Sequence, residues 1–356
     1  MKKHIVFVLL FLSYHLISGQ ILTHSGEMIK AGLEDGPKLV NAYLTPLNKV
    51  IIFGLSDVSY SRPKKNSSTR LLLSAKMAYV IVPEKDLTFD VTQIGLTHFV
   101  PENPHEVMAQ TILGDSLRHI TLVSKEKNLM GKPLIKFKTP GGKQYPSMLL
   151  PFLGITYRFS SANLIFNFIP YVPLPTTGMK VGMAGIYYQQ DMSGIIHSLK
   201  GKRLGMSMQI GGAFFYGHSH LEVKPGGIST PVTITGNATG PYDNQNLNAY
   251  YMSLYAGMYL DYSLGEKFTL FVGSGTNYGY SRIMLTGRYP IYISDPMGFG
   301  SVVAKDVDDP LDITGNYFRY KIEAGGRLEF EKFYLQLVYN AGPYGGGGLS
   351  LGYIFY

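Results

Sequence analysis

Few residues in this chain have the types and spacing that chemistry needs. His218, Ser219 and His220 form a close histidine pair. Alternate positions on a strand face the same side, so both imidazoles could share a metal ion with Glu222. A stable metal site needs further nitrogen, sulfur or carboxylate ligands. None follows nearby, and the pair reads as polar residues at a strand end. Nucleophilic hydrolysis needs a serine beside an oriented base, and none of the nine histidines stands in such a local signature. Gly345–Gly348 lacks the Lys-Ser/Thr and the following helix of a phosphate-binding loop, so it reads as a turn between strands. The chain has no Cys, which removes thiol catalysis and cysteine metal sites. No enzymatic activity, cofactor or metal is expected.

The residues that could hold a ligand occur in alternating patterns instead. From Tyr317 onward, Phe318, Tyr320, Ile322, Ala324, Leu328 and Phe330 alternate with Arg319, Lys321, Glu323, Arg327 and Glu329. From Leu204, apolar residues at even positions alternate with small or polar ones at odd positions. These are the two faces of strands with lipid on one side and a lumen on the other. In that register Phe215, Tyr251, Tyr255, Tyr259 and Phe271 point inward from three consecutive strands. They would fill the lumen or hold a hydrophobic or amphipathic small molecule. Arg319 and Lys321 join them as candidate binding residues. The inward charges are expected to pair with one another and with Lys76, Arg158 and Asp261, because buried charges need partners; unpaired ones could hold an anionic head group.

Composition agrees with this class. The 356 residues include 41 Gly, 27 Tyr, 19 Phe and no Trp, and only 16% are charged, against about 25% in soluble domains. Mean hydropathy is +0.05, yet no apolar run is long enough for a helical span. The formal charge of +8 is scattered and accompanied by no nucleic-acid motif, so no nucleic-acid partner is expected. The first residues have the basic, apolar and small-residue regions of a secretory signal peptide, ending near Gly19.

The expected fold is therefore all-β: an antiparallel transmembrane β-barrel of about 12–14 strands with a short N-terminal helical segment. Strands are predicted near 51–60, 70–82, 87–99, 148–159, 163–171, 179–190, 203–220, 247–263, 267–282, 316–330, 332–341 and 348–356. A further hairpin at 119–124 and 133–138 would make fourteen. The organisation reads as signal peptide 1–19, helical plug or periplasmic segment 20–48, and barrel 49–356 with an external insertion 100–147. Leu39, Val40, Tyr43, Leu44 and Leu47 recur at helical spacing within Gly26–Leu47. Twelve strands place the turns at Pro83–Asp86, Ser160–Ala162, Leu264–Glu266 and Glu331 on the periplasmic side. The long connections 100–147, 221–246 and 283–315 then lie outside, as barrels of this kind arrange them. The alternating final strand, Leu349–Tyr356, ends on an aromatic residue.

Asn41-Ala42-Tyr43-Leu44-Thr45-Pro46-Leu47, then Phe53-Gly54 and Tyr60 before a basic loop, resemble the start of a Bacteroidetes-type family of exported outer-membrane β-barrel proteins of unknown function. Leu149-Leu150-Pro151-Phe152-Leu153-Gly154 and Ile195-Ile196-His197-Ser198-Leu199 are similar to recurring segments of that family. The resemblance implies fold and location, with no established activity. The helix-plus-barrel plan also resembles long-chain fatty-acid transporters of the FadL type, in architecture alone. The leading functional expectation is binding or transport of a hydrophobic or amphipathic small molecule in the outer membrane of a Gram-negative bacterium. The alternatives are a non-transporting scaffold that binds protein partners through external loops and, weaker, an outer-membrane hydrolase. Outer-membrane lipid, a hydrophobic ligand and loop-bound proteins are the expected partners.

Overall fold

A computed structural model describes residues 28–57, 60, 67–173, 179–193, 203–225, 234–236, 238–265, 267–294 and 302–355. The signal-peptide region, the Ile195–Leu199 segment and Tyr356 lie outside the described residues.

The alternating segments form ten strands: β1 (Ser67–Ile81), β2 (Ser147–Ser160), β3 (Ala162–Pro173), β4 (Lys180–Asp191), β5 (Leu204–His220), β6 (Asn246–Leu264), β7 (Phe268–Thr286), β8 (Leu311–Glu329), β9 (Phe333–Ala341) and β10 (Gly346–Phe355). They close into one antiparallel barrel in which each strand pairs with its sequence neighbours and β1 pairs with β10. Closure satisfies the backbone without a lipid-facing edge, the condition for crossing a membrane with strands.

The strand number corrects the expectation of twelve to fourteen. The predicted strand 51–60 is the end of a helix, α1 (Asp35–Gly54), and the chain that leaves it. Its run Val50-Ile51-Ile52-Phe53 is buried on every side, and a short apolar run buried all round has the same sequence pattern in a helix as in a strand. The predicted strand 87–99 contributes only the three-residue strand Thr88–Asp90, paired with Met108–Gln110 outside the barrel. The possible extra hairpin exists as Thr121–Ser124 and Lys136–Lys138, but it pairs with Phe99–Pro101 in a separate small sheet. The insertion thus runs from 82 to 146 rather than 100–147, and the helix passes the expected boundary at 48.

Losing two strands together preserves the sidedness of all the rest. One end of the barrel carries the connections at Ser161, 192–203, 265–267 and 330–332, and is the turn end. The other carries 82–146, 174–179, 221–245, 287–310 and 342–345, and is the loop end. Pro83–Asp86, expected as a periplasmic turn, belongs to the insertion at the loop end.

The register follows the alternation. On β8, Phe318 (68% exposed), Tyr320 and Ile322 face outward, while Arg319, Lys321, Glu323 and Arg327 are buried in the lumen. Outward aromatic residues gather at two levels, Tyr278, Phe318, Tyr320 and Tyr339 towards the loop end and Tyr262, Phe330, Phe333 and Phe355 towards the turn end. These are the interfacial girdles of a membrane barrel, with Leu337, Leu351 and Ile322 in the apolar band between them. Above the loop-end girdle the outward residues of β8 become Asn316, Thr314 and Asp312.

α1 occupies the lumen, against β1, β2, β6, β7 and β8. Leu39, Val40, Tyr43, Leu44, Ile51 and Ile52 are all buried, Tyr43 under the insertion, where its hydroxyl donates to the Gly141 carbonyl at 3.0 Å, and Ile52 against β7. Helix and wall approach closely at Gly279 on β7, where an added Cβ would lie 2.0 Å from Ile52 Cγ2. Only glycine lets helix and wall meet at that depth.

An arginine in the apolar band costs about 2–4 kcal/mol, and about 0–1 kcal/mol near the interface. Ile322→Arg is therefore expected to lower the membrane-inserted fraction, and Thr314→Arg to leave it unchanged. Heat-modifiable gel migration of the extracted membrane fraction reads both.

Candidate functional site

The chemical centre of the molecule lies where α1 ends inside the barrel. The helix finishes in a turn, Leu55–Asp57, whose amides bond back to Ile51, Phe53 and Gly54 carbonyls. That turn delivers the Asp57 carboxylate, 1% exposed, to the inward face of β8. The period of two on β8 brings Arg319, Lys321 and Glu323 to the same face one after another. Arg319 makes a two-nitrogen contact with Asp57 and also donates to the Tyr344 carbonyl at 2.8 Å and the Phe53 carbonyl at 3.1 Å. Lys321 Nζ donates to Asp57 Oδ1 at 3.1 Å and to Glu323 Oε1 at 2.7 Å. Glu323 Oε2 accepts from the Tyr255 and Tyr259 hydroxyls. Two carboxylates thus face two cations with no access to water.

The predicted aromatic residues are all brought to this region, and each is buried. Tyr251 donates to Asn48 Oδ1 of α1 at 3.0 Å and packs edge-on to Phe215. Tyr60, on the chain leaving the helix, stacks on Phe271 with ring centroids 4.1 Å apart and leans on Tyr259 at 4.6 Å. Arg319 lies over the Phe53 ring and Lys321 over Tyr255. Phe215, Tyr251, Tyr255, Tyr259, Phe271, Arg319 and Lys321 therefore line the lumen at successive levels: Tyr251 meets Asn48 of α1, Arg319 and Lys321 meet Asp57, Tyr259 and Phe271 meet Tyr60, and Lys321, Tyr255 and Tyr259 also meet Glu323 of the wall itself. A second group sits nearer the turn end, where Arg158 and Arg327 share Glu329 at 3.4 and 3.2 Å. Among the described residues Lys76 has no carboxylate partner; its Nζ donates to Asn167 Oδ1 at 2.9 Å.

At the loop end the start of α1 is tied to the insertion. Both Asp35 oxygens are spent on backbone amides of Thr97, His98 and Phe99, at 2.7, 2.7 and 3.1 Å. The His98 ring bridges Glu126 at 3.1 Å and Glu34 at 3.2 Å. Hydrogen bonds to Glu126 and Glu34 hold the His98 imidazole above its ordinary pKa, against a smaller opposing effect of burial. Beside this joint lies a cavity of about 710 Å³, walled by Leu33, Phe99, Ile135, Ile291, Ile293 and Val307 among others. His218 and His220 sit on the outward face of β5, with His218 Nδ1 2.9 Å from Asn248 Oδ1 and Glu222 3.7 Å from Lys224. Gly346–Gly348 open β10 rather than forming the turn, which is 342–345.

The sequence reading missed Asp57, Asn48 and Tyr60. The first and last fell in a segment taken as strand, and no local signal marks an acid as the partner of residues more than 260 positions away.

Removing one partner of a buried ion pair strands the other charge, at about 3–5 kcal/mol. Asp57→Ala is expected to lower the unfolding free energy of the membrane-embedded barrel by that order, read from denaturant titration as an earlier midpoint at unchanged slope. A different dependence is expected at the joint. A histidine whose folded-state pKa is raised contributes stability that is complete below its unfolded pKa and is lost as pH rises through the folded one. Exchange protection of the Thr97–Phe99 amides, taken relative to intrinsic rates, should fall across that window and become flat with pH in His98→Gln.

Comparison with curated proteins finds no match to this chain. Among solved structures it is similar to the attachment invasion locus protein Ail of Yersinia pestis, at 10% identity and a TM-score of 0.27, covering 81% of this chain and 100% of that one. It is also similar to the translocator domain of the autotransporter NalP from Neisseria meningitidis, at 11% identity and a TM-score of 0.28, covering 91% and 98%. The transport unit of the autotransporter AIDA-I from Escherichia coli stands at 9% identity and a TM-score of 0.26, covering 87% and 98%. Likenesses this distant carry no functional argument. The match that defines the chain is to its own family, over residues 1–355. The chain belongs to DUF6588, a family of unknown function.

Proposed function

We propose that the protein is an outer-membrane barrel of a Gram-negative bacterium that does not conduct through its lumen, and that it works as a binding platform at its loop end. The outer-membrane reading rests on the two aromatic girdles, the polar switch above Phe318 and the signal-peptide pattern. It makes the loop end external and the turn end periplasmic.

The observation that carries the platform reading is the closure of the lumen by α1. The helix is anchored at both ends, by Asp35 in the insertion and by Asp57 on β8. A conduit would need both anchors released, leaving buried Arg319 without its acid and Lys321 with Glu323 alone. The elements built beyond the barrel are extensive by contrast. The 82–146 insertion and the 287–310 connection carry three small sheets between them and the Ile234–Thr235 strand. Their support is for a role in binding protein partners, with no catalytic step.

A second reading is binding of a hydrophobic or amphipathic small molecule, with transport only if α1 moves. It is favoured by the cavity beside the start of α1, whose wall combines apolar side chains with Glu34, His98, Glu126, Lys127 and Lys305, and whose size falls within the roughly 300–1,000 Å³ of small-molecule sites. The helix-in-barrel plan behind the FadL-type likeness supports the same reading.

Planar-bilayer recordings separate the two. The platform reading expects no steady conductance from the wild-type protein and a steady one once residues 28–57 are deleted. A wild-type protein that conducts would remove the reading.

A further inference from the structure

Strand β8 carries more backbone than its neighbour β9 uses. It pairs with β7 along nearly its whole length, from Leu311↔Leu285 to Leu328↔Phe268. On its other side it pairs with β9 only from Ile322↔Ala341 to Glu329↔Tyr334. Among the described residues, no strand pairs with that side of β8 between Leu311 and Lys321, and its backbone there bonds to no other described segment. A separate observation points to the same opening. The inward residues of β7 from Thr269 to Leu285 are all buried, whereas Ile313, Gly315 and Tyr317 on the inward face of β8 are half-buried. The wall has a notch above the β9–β10 turn.

From Leu311 to Tyr317 this edge stands above the loop-end girdle, and from Phe318 to Lys321 it lies at the girdle's level. Below it, β9 has nine residues, enough to cross the bilayer alone. Beside it, the outward groups are polar and mutually satisfied: Asp312 pairs with Arg282 at 2.6 Å, and Asn316 accepts from the Tyr278 hydroxyl at 2.7 Å. An exposed, unblocked strand edge presents alternate N–H and C=O groups that template another strand. No charge or proline within Ile313–Phe318 blunts it.

We propose that the edge of β8 from Leu311 to Lys321 is a strand-addition site for an extended segment of a partner protein, running antiparallel to β8 directly above β9. This rests on the reading that the chain binds partners at its loop end. The occupant's chemistry follows from β9, which already fills the lower half of the same edge. Phe333–Ala341 is uncharged and alternates apolar outward residues with Tyr334, Gln336, Val338 and Asn340 inward. A segment of that kind meets an edge whose ionised neighbours are already neutralised, Asp312 by Arg282 and Arg319 by Asp57. A second copy fits less well. Rotated about the membrane normal in the same bilayer, it brings its own β8 alongside in parallel, whereas every barrel pair here is antiparallel. In strand addition the backbone supplies affinity and alternate side chains supply specificity.

Hydrogen exchange on the full chain in lipid nanodiscs tests this, with a synthetic peptide of the Phe333–Ala341 sequence as the probe. Without peptide, alternate amides between Asp312 and Tyr320 should exchange fast while those between Ile322 and Leu328 stay protected. With peptide, the fast class should disappear. Protection of every Asp312–Tyr320 amide in the free protein would overturn the proposal, as would a peptide that leaves the fast class unchanged. The chain has no Cys, so Asn316→Cys gives a single thiol. Disulfide-linked pairs of that variant in one membrane would overturn it in favour of a second copy, and their absence supports it. A conducting wild-type barrel with this exchange pattern intact would sink the platform reading and leave the strand-addition site standing.

Discussion

A carboxylate inside a membrane barrel has to be matched, and the match at Asp57 organises this molecule. Asp57 sits 1% exposed between Arg319 and Lys321, and neither cation has solvent to fall back on. Desolvating such groups separately costs several kcal/mol each. Helix and wall are therefore required by each other: Lys321 also has Glu323 on its own strand, but Asp57 is the acid that Arg319 pairs with, and it arrives only when α1 enters the lumen. Such an arrangement specifies position more than it adds stability, since buried ion pairs often do no better than apolar packing. It sets how deep α1 descends, and thereby sets Ile52 against Gly279 and Tyr60 against Phe271.

The unequal height of the wall follows from the same plan. β6, β7 and β8 each have 19 residues, nearly twice what a bilayer crossing needs, while β9 and β10 have nine and ten. The tall side rises beside α1 and carries the sheet of the 287–310 connection, while the two sheets of the insertion stand between β1 and β2. The short side ends at the turn 342–345, whose Tyr344 packs on Phe53 at 5.7 Å and closes the lumen over the Asp57 group.

The wall of the barrel was legible in the sequence because lipid and lumen impose opposite chemistry on successive residues. Leu204–Tyr216 and Phe318–Phe330 declared both their strand character and their register in this way. The contents of the barrel were legible only in part: the spacing of Leu39, Val40, Tyr43, Leu44 and Leu47 marked the helix, but not how far it runs or what it meets. A helix enclosed by a wall is buried all round, so Val50–Phe53 lost the polar face by which a surface helix is recognised. Arg319 and Lys321 could be read as inward charges in need of partners, but the identity of Asp57 as their acid is set by closure of the barrel. The insertion misled for a related reason. Its short strands have ordinary β composition, and what keeps them out of the wall is their pairing with one another.

The account stands on α1 being seated in the lumen at the depth that Asp57 sets. Ile52→Cys/Gly279→Cys tests that seating most directly, because an added Cβ at Gly279 lies 3.2 Å from the Ile52 Cβ and the chain has no other thiol. Mild oxidation of the double variant in intact membranes should close an intramolecular disulfide, read as a shift in non-reducing gel migration. Two thiols that stay free and react separately with a membrane-permeant reagent would contradict it.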